Sequence, residues 1–133
     1  AAGTYSASFE VPDGAFLIDV IVHATAVWTA GTAATLIVGD SDDPNGFFTA
    51  VNLKATDLVA NESISFSMQG GKKGADLDSP ITAADAAQVR RRSIGAARTL
   101  SAEVITTGTA GTAGDTTVVY VYAYPSPITP SFA

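Results

Sequence analysis

Residues 15–28, AFLIDVIVHATAVW, run for fourteen positions without a glycine, a proline or a helix cap, and their reading decides the fold. At period two the even positions, Phe16, Ile18, Val20, Val22, Ala24, Ala26 and Trp28, are all apolar, whereas the odd positions mix Leu17 and Ile21 with Asp19, His23 and Thr25. One-sided alternation in a stretch rich in β-branched residues predicts a long strand whose even face is core. A helix would scatter the same residues around its circumference.

Working outward, TYSASFEV at 4–11 alternates Tyr5, Ala7, Phe9 and Val11 with polar residues, so it predicts a half-buried strand. Pro12-Asp13-Gly14 supplies a turn, and the simplest expectation is a hairpin with the long strand. Beyond the small-residue loop 29–33, ATLIV at 34–38 is a further strand, and Phe47–Leu53 adds an extended piece. Residues 54–61 fit a helical turn or a loop, and ESISFSM alternates Ile64, Phe66 and Met68 inward with serines outward. After a stretch without alternation, Leu100, Ala102 and Val104 resume it. GTAGTAG at 108–114 reads as a flexible hairpin loop leading to the last strand, DTTVVYVYAYP. The expected fold class is all-β: an antiparallel two-sheet β-sandwich, jelly-roll-like, of seven or eight strands. The expected domain is 1–124, with a long loop over 69–98 that holds a short helix at 83–91, and an extended Pro-rich tail at 125–133.

The 133 residues suffice for one core without a disulfide, and the chain has no cysteine. No apolar run reaches the length that crosses a bilayer, and residues 1–11 lack the pattern of a signal peptide, so a soluble chain without a cleavable leader is expected. The net charge is −6, which disfavours generic attraction to nucleic acid. That charge is uneven: between Gln69 and Arg98, six basic side chains face three acids, giving +3 there and −9 elsewhere.

Three features invite a chemical reading. Asp40, Asp42, Asp43 and Asn45 in GDSDDPNG gather oxygens on a tight loop, as a calcium site would. However, Pro44 takes a ligand place of the EF-hand pattern and no glutamate closes the loop, so a solvated turn is the expectation and no metal or cofactor is assigned. His23 is the sole histidine, and no nucleophile motif accompanies it, so no catalytic residue is assigned. Arg90, Arg91 and Arg92 form the one dense basic run, suited to an acidic protein surface or to a solvated loop. Tyr120, Tyr122 and Tyr124 line one side of the last strand, where a covered ring with a wet hydroxyl suits an interface. Pro125, Pro127, Pro130 and Phe132 mark a tail fitted to lie extended on a neighbour.

Taken together, the strand ending in Val38-Gly39-Asp40, the turn Asp43-Pro44-Asn45-Gly46-Phe47, the run Thr106–Gly111 (TTGTAG) and the valine/tyrosine strand 118–124 resemble small virion proteins of tailed bacteriophages that decorate or cement the capsid. The resemblance covers 16–53 and 100–124, and nothing in 69–98 contributes to it. It implies a non-enzymatic virion protein on the capsid surface, made in the host cytoplasm, a homotrimer bound to the major capsid protein, with no contact to nucleic acid or membrane. The interface residues would then be the three tyrosines, the three arginines and the tail. The alternatives from the residues alone are a carbohydrate-binding or fibre-type sandwich module and a head–tail or tail component.

Overall fold

The computed structural model describes residues 3–65, 95–126 and 130–131. Among these residues seven strands form in chain order: β1 (Thr4–Val11), β2 (Phe16–Ala26), β3 (Ala33–Asp40), β4 (Phe48–Asn52), β5 (Ser63–Ser65), β6 (Arg98–Thr107) and β7 (Asp115–Ala123). They make a four-stranded sheet, β1-β6-β3-β4, and a three-stranded sheet, β5-β2-β7, every pairing antiparallel. The all-β, two-sheet sandwich expected from the alternation is what the chain forms. All but the last four residues of 69–98, the whole of 83–91, and tail residues 127–129, 132 and 133 lie outside the described residues.

The core is the layer between the sheets. Leu36, Val38, Leu100, Ala102 and Val104 of the larger sheet face Leu17, Val20, Val22 and Ala24 of the smaller one, and all nine are buried. Phe47, Phe48, Val51, Leu53 and Leu58 extend the same cluster.

β2 departs from the strict even-face expectation. Opposite β7 the register skips Ile18, because Leu17 pairs with Tyr122 while Asp19 pairs with Val121. One extra residue at a bulge turns every following side chain over. Leu17 on one side of the bulge and Val20 on the other are therefore both core, whereas Phe16 and Ile18 point outward. β4 uses the same device. Phe48 pairs with Val38 and Val51 with Leu36, so an extra residue lies between them, and Ala50 takes φ 55° there. Both Phe48 and Val51 thus turn inward despite their odd spacing.

Two expected hairpins are absent. Pro12–Gly14 does turn the chain, with the Ala15 N–H donating to the Pro12 carbonyl at 3.1 Å, but it carries β1 and β2 into opposite sheets. Val11 and Ala15, the residues flanking the turn, are both buried, so the strands oppose their apolar sides across the core instead of sharing one sheet. Residues 108–114 likewise pass from the larger sheet to the smaller. Nor does this connection hang loose. The Thr29 N–H donates to the Ala113 carbonyl, Gly31 N–H to Thr109 and Thr32 N–H to Thr107, while the Thr29 hydroxyl oxygen accepts from the amides of Thr112 and Ala113. Two loops of small residues are laced together, and the close approach requires glycine. A Cβ on Gly31 would strike the Thr109 backbone, and one on Gly114 would overlap the Trp28 ring.

The bulge gives a sharp expectation. Leu17→Ala should destabilise the chain by about 2–5 kcal/mol, while Ile18→Asn should change its stability by no more than about 0.5 kcal/mol. Urea unfolding followed by circular dichroism separates the two, and the reverse order would restore the unbroken even face.

Candidate interaction surfaces

The acidic loop resolves into a structural device. Asp40 is buried at the end of β3 and divides its two oxygens. Oδ1 accepts from the amides of Asp42 and Asp43 at 3.0 and 2.9 Å, closing the turn. Oδ2 accepts from Arg98, from Nε at 3.0 Å and from the terminal nitrogen Nη2 at 2.5 Å. The Arg98 guanidinium also lies 5.3 Å from the centre of the Phe47 ring, within cation–π range. Gly39 has to be glycine, since a Cβ there would collide with the Asp43 carbonyl. Asp42 and Asn45 are exposed, and the Asn45 amide donates to the Thr49 hydroxyl. Among the described residues no group of three or more acidic or histidine side chains is placed to hold a metal ion.

Burial by itself raises the Asp40 pKa, but the Asp43 amide, Arg98 through hydrogen bond and charge, and the Asp42 amide outweigh it, so the carboxyl ionises below its ordinary range. Arg98 belongs to the basic stretch noted in the sequence but is spent inside the chain. Nothing in the local sequence joins two residues 58 positions apart. Lys54, the one basic residue outside that stretch, donates from Nζ to the carbonyls of Ala30 and Gly31 and ties down the β2–β3 loop.

His23 is half-buried on the outer side of β2, with Nδ1 2.7 Å from the Ser63 hydroxyl. Among the described residues no carboxylate orients it in the manner of a triad. Its strand carries a more informative pattern. The outer face of the smaller sheet presents Phe16 (37% exposed) and Ile18 (42%) on β2 beside Val119 (42%) and Val121 (38%) on β7, with Ile21 half-buried opposite Val119. The outer face of the larger sheet is mostly hydroxyl and acid, with Thr4, Ser6, Ser8 and Glu10 on β1 alongside Thr99, Ser101, Glu103 and the exposed Ile105 on β6.

A second surface opens along the side where β1 and β7, the outermost described strands of their sheets, lie next to each other. Trp28 contacts Tyr5 with ring centres 5.3 Å apart and donates from its indole nitrogen to the Thr116 hydroxyl at 2.9 Å. Phe9 stacks on Tyr120 at 5.2 Å and tilts against Tyr122 at 5.8 Å, and Tyr122 meets Tyr124 edge-on. Between the two aromatic pairs, where β1 and β6 oppose Ala7 and Ala102, the small side chains leave a cleft of about 360 Å³ floored by Leu36, Val104 and Val118. A smaller hollow of about 250 Å³ lies on the other side of Tyr5 and Trp28, reaching Gly111–Gly114. Among the described residues no charged side chain lines either one.

The tyrosines expected at an interface therefore divide. Tyr120 points inward and packs on the core, and burial pushes its phenol up to about 12, whereas Tyr122 and Tyr124 are exposed. Pro125 is half-buried and Pro130 exposed, while Arg90, Arg91, Arg92, Pro127 and Phe132 lie outside the described residues. The sequence stripe missed Phe9 as the partner of Tyr120 and Tyr122, and Tyr5 as the partner of Trp28, because β1 meets those residues only across the sandwich. No protein-family model, curated protein or solved structure matches the chain.

Breaking the buried pair should be costly: Asp40→Ala leaves Arg98 charged and unpaired, with an expected loss of about 3–5 kcal/mol in a urea titration. Asp40's depressed pKa contributes stability that is complete above the unfolded value of about 3.9 and lost as the pH falls through the folded one. Tyr120 acts at the other extreme: its contribution is complete below about 10 and declines as the pH rises toward 12. Thermal midpoints across pH should fall at both ends, with the alkaline fall reduced in Tyr120→Phe.

Proposed function

We propose that this chain is a non-enzymatic structural subunit that decorates or cements the outer surface of a phage capsid, binding capsid subunits and further copies of itself by protein–protein contact. The observation that carries this reading is the asymmetry of the two outer faces. One is mostly hydroxyl and acid, with Ile105 its one exposed large apolar side chain among the described residues, while the other exposes phenylalanine, isoleucine and valine side by side. Contiguous apolar surface of this kind marks interaction sites in soluble chains. Its occupant is another folded protein surface, because a sheet face offers a broad, gently twisted area and no recess for a small molecule.

The capsid setting and a trimeric state rest on the resemblance of Val38–Phe47 and 106–124 to decoration proteins. Many weak copies on a lattice need only modest contacts each, since neighbouring attachments raise the effective concentration of the next. The carbohydrate-binding alternative draws on the uncharged aromatic cleft, and a solitary chain retained on a glycan array through that cleft would favour it.

Co-sedimentation with capsids tests the reading. Phe16→Ser with Val121→Ser should leave the fold intact and lower occupancy at least tenfold. Full occupancy by the double variant would remove the smaller sheet's outer face from the contact.

A further inference from the structure

We propose that the cleft between β1 and β7 is a receptor for the C-terminal tail of a second copy, which docks there as a polyproline II segment. The inference rests on the reading of the chain as a self-associating subunit and names the contact. Its shape comes first. Tyr5 with Trp28 and Phe9 with Tyr120 form two aromatic walls, set four residues apart on β1, or about 13 Å. Ala7 between them leaves the floor open, and among the described residues no charge lines the walls. Aromatic-lined, uncharged grooves of this kind accept proline-rich segments, whose preformed extended helix loses little entropy on docking.

The rim supplies hydrogen-bonding groups. The Thr106 N–H donates to the Gly3 carbonyl, which sets the phase of the β1–β6 ladder. Tyr5, Ala7 and Phe9 therefore turn their peptide groups to β6, and Ser6 and Ser8 direct theirs off the sheet edge along the cleft.

The tail supplies the ligand. Residues 125–133, PSPITPSFA, contain Pro127-Ile128-Thr129-Pro130, a P-x-x-P spacing that rises about 9 Å in a polyproline II helix and fits between the walls. It carries no charged side chain, matching the cleft. Tyr124 and Ser126 each precede a proline, a sequence that favours an extended backbone and opposes a reversal. β7 runs alongside β1 in the same direction, Thr116 near Tyr5 and Tyr120 on Phe9, so the tail leaves past the far end of its own cleft. Tyr124 and Pro130 are exposed, not packed into that cleft. A tail directed away from its own groove fits the groove of a neighbour.

Full-length variants separate the two halves. Ala7→Leu fills the cleft and keeps the tail, whereas Pro127→Ala with Pro130→Ala keeps the cleft and weakens the ligand. In sedimentation velocity each variant alone should associate at least tenfold more weakly than the parent chain, with an unchanged far-ultraviolet spectrum. Mixed together they should form a pair, seen as a shift in the emission of Trp28, the only tryptophan. The proposal is overturned if the parent chain is a monomer, if the variants associate as the parent does, or if the mixture stays monomeric. Capsid uptake measured on the same variants is a separate readout: loss of self-association with capsid binding retained supports the tail contact, and normal self-association with capsid binding retained removes it while leaving the decoration reading in place.

Discussion

The structure depends on keeping one continuous apolar layer between two sheets that share no strand. Leu17, Val20, Val22 and Ala24 must all reach that layer from β2, and Phe48 and Val51 from β4, although neither set has a uniform period of two. Bulges at Ile18 and beside Ala50 bring them into phase. The same bulge at Ile18 has a consequence on the far side of the sheet. It ejects Phe16 and Ile18 from the core and sets them beside Val119 and Val121, so the device that completes the interior also builds the exposed apolar face.

That dual effect explains what was legible in the sequence. Alternation in residues 34–38 and 98–107 reads directly as strands, since each of these runs keeps one face buried without interruption, and residues 4–11 read as a strand too, although only Phe9 and Val11 of their apolar face are covered. The long run 15–28 reads as a strand too, but its seven even apolar residues suggest a single core face, and a bulge leaves no mark in composition. The hairpins expected at Pro12–Gly14 and 108–114 fail for a related reason. A turn sequence specifies that the chain reverses, not whether its strands then lie side by side or face each other across a core. Partners far apart in sequence were invisible: Asp40 and Arg98 fasten the acidic loop from 58 residues apart, and Tyr5, Phe9, Trp28 and Tyr120 meet only when two strands from different sheets come together.

The sandwich is closed and open in different places. Phe47, Leu53 and Leu58 seal part of the layer, and the 29–32 and 107–113 segments are bonded amide to carbonyl. Along β1 and β7 the sheets instead end in aromatic side chains around two alanines. Ala7 and Ala102 are small side chains among the residues that line that side. Their small size keeps a recess beside a strand edge, a combination suited to receiving an extended chain. The apolar sheet face and the open edge are the two surfaces on which the proposed role rests.

The most direct measurement is electron cryomicroscopy of phage particles carrying this chain. The account predicts density for a seven-stranded sandwich on the outside of the capsid, with Phe16, Ile18, Val119 and Val121 covered by another protein surface. Particles whose outer surface lacks this density, or show it with those four side chains turned to solvent, would contradict the account.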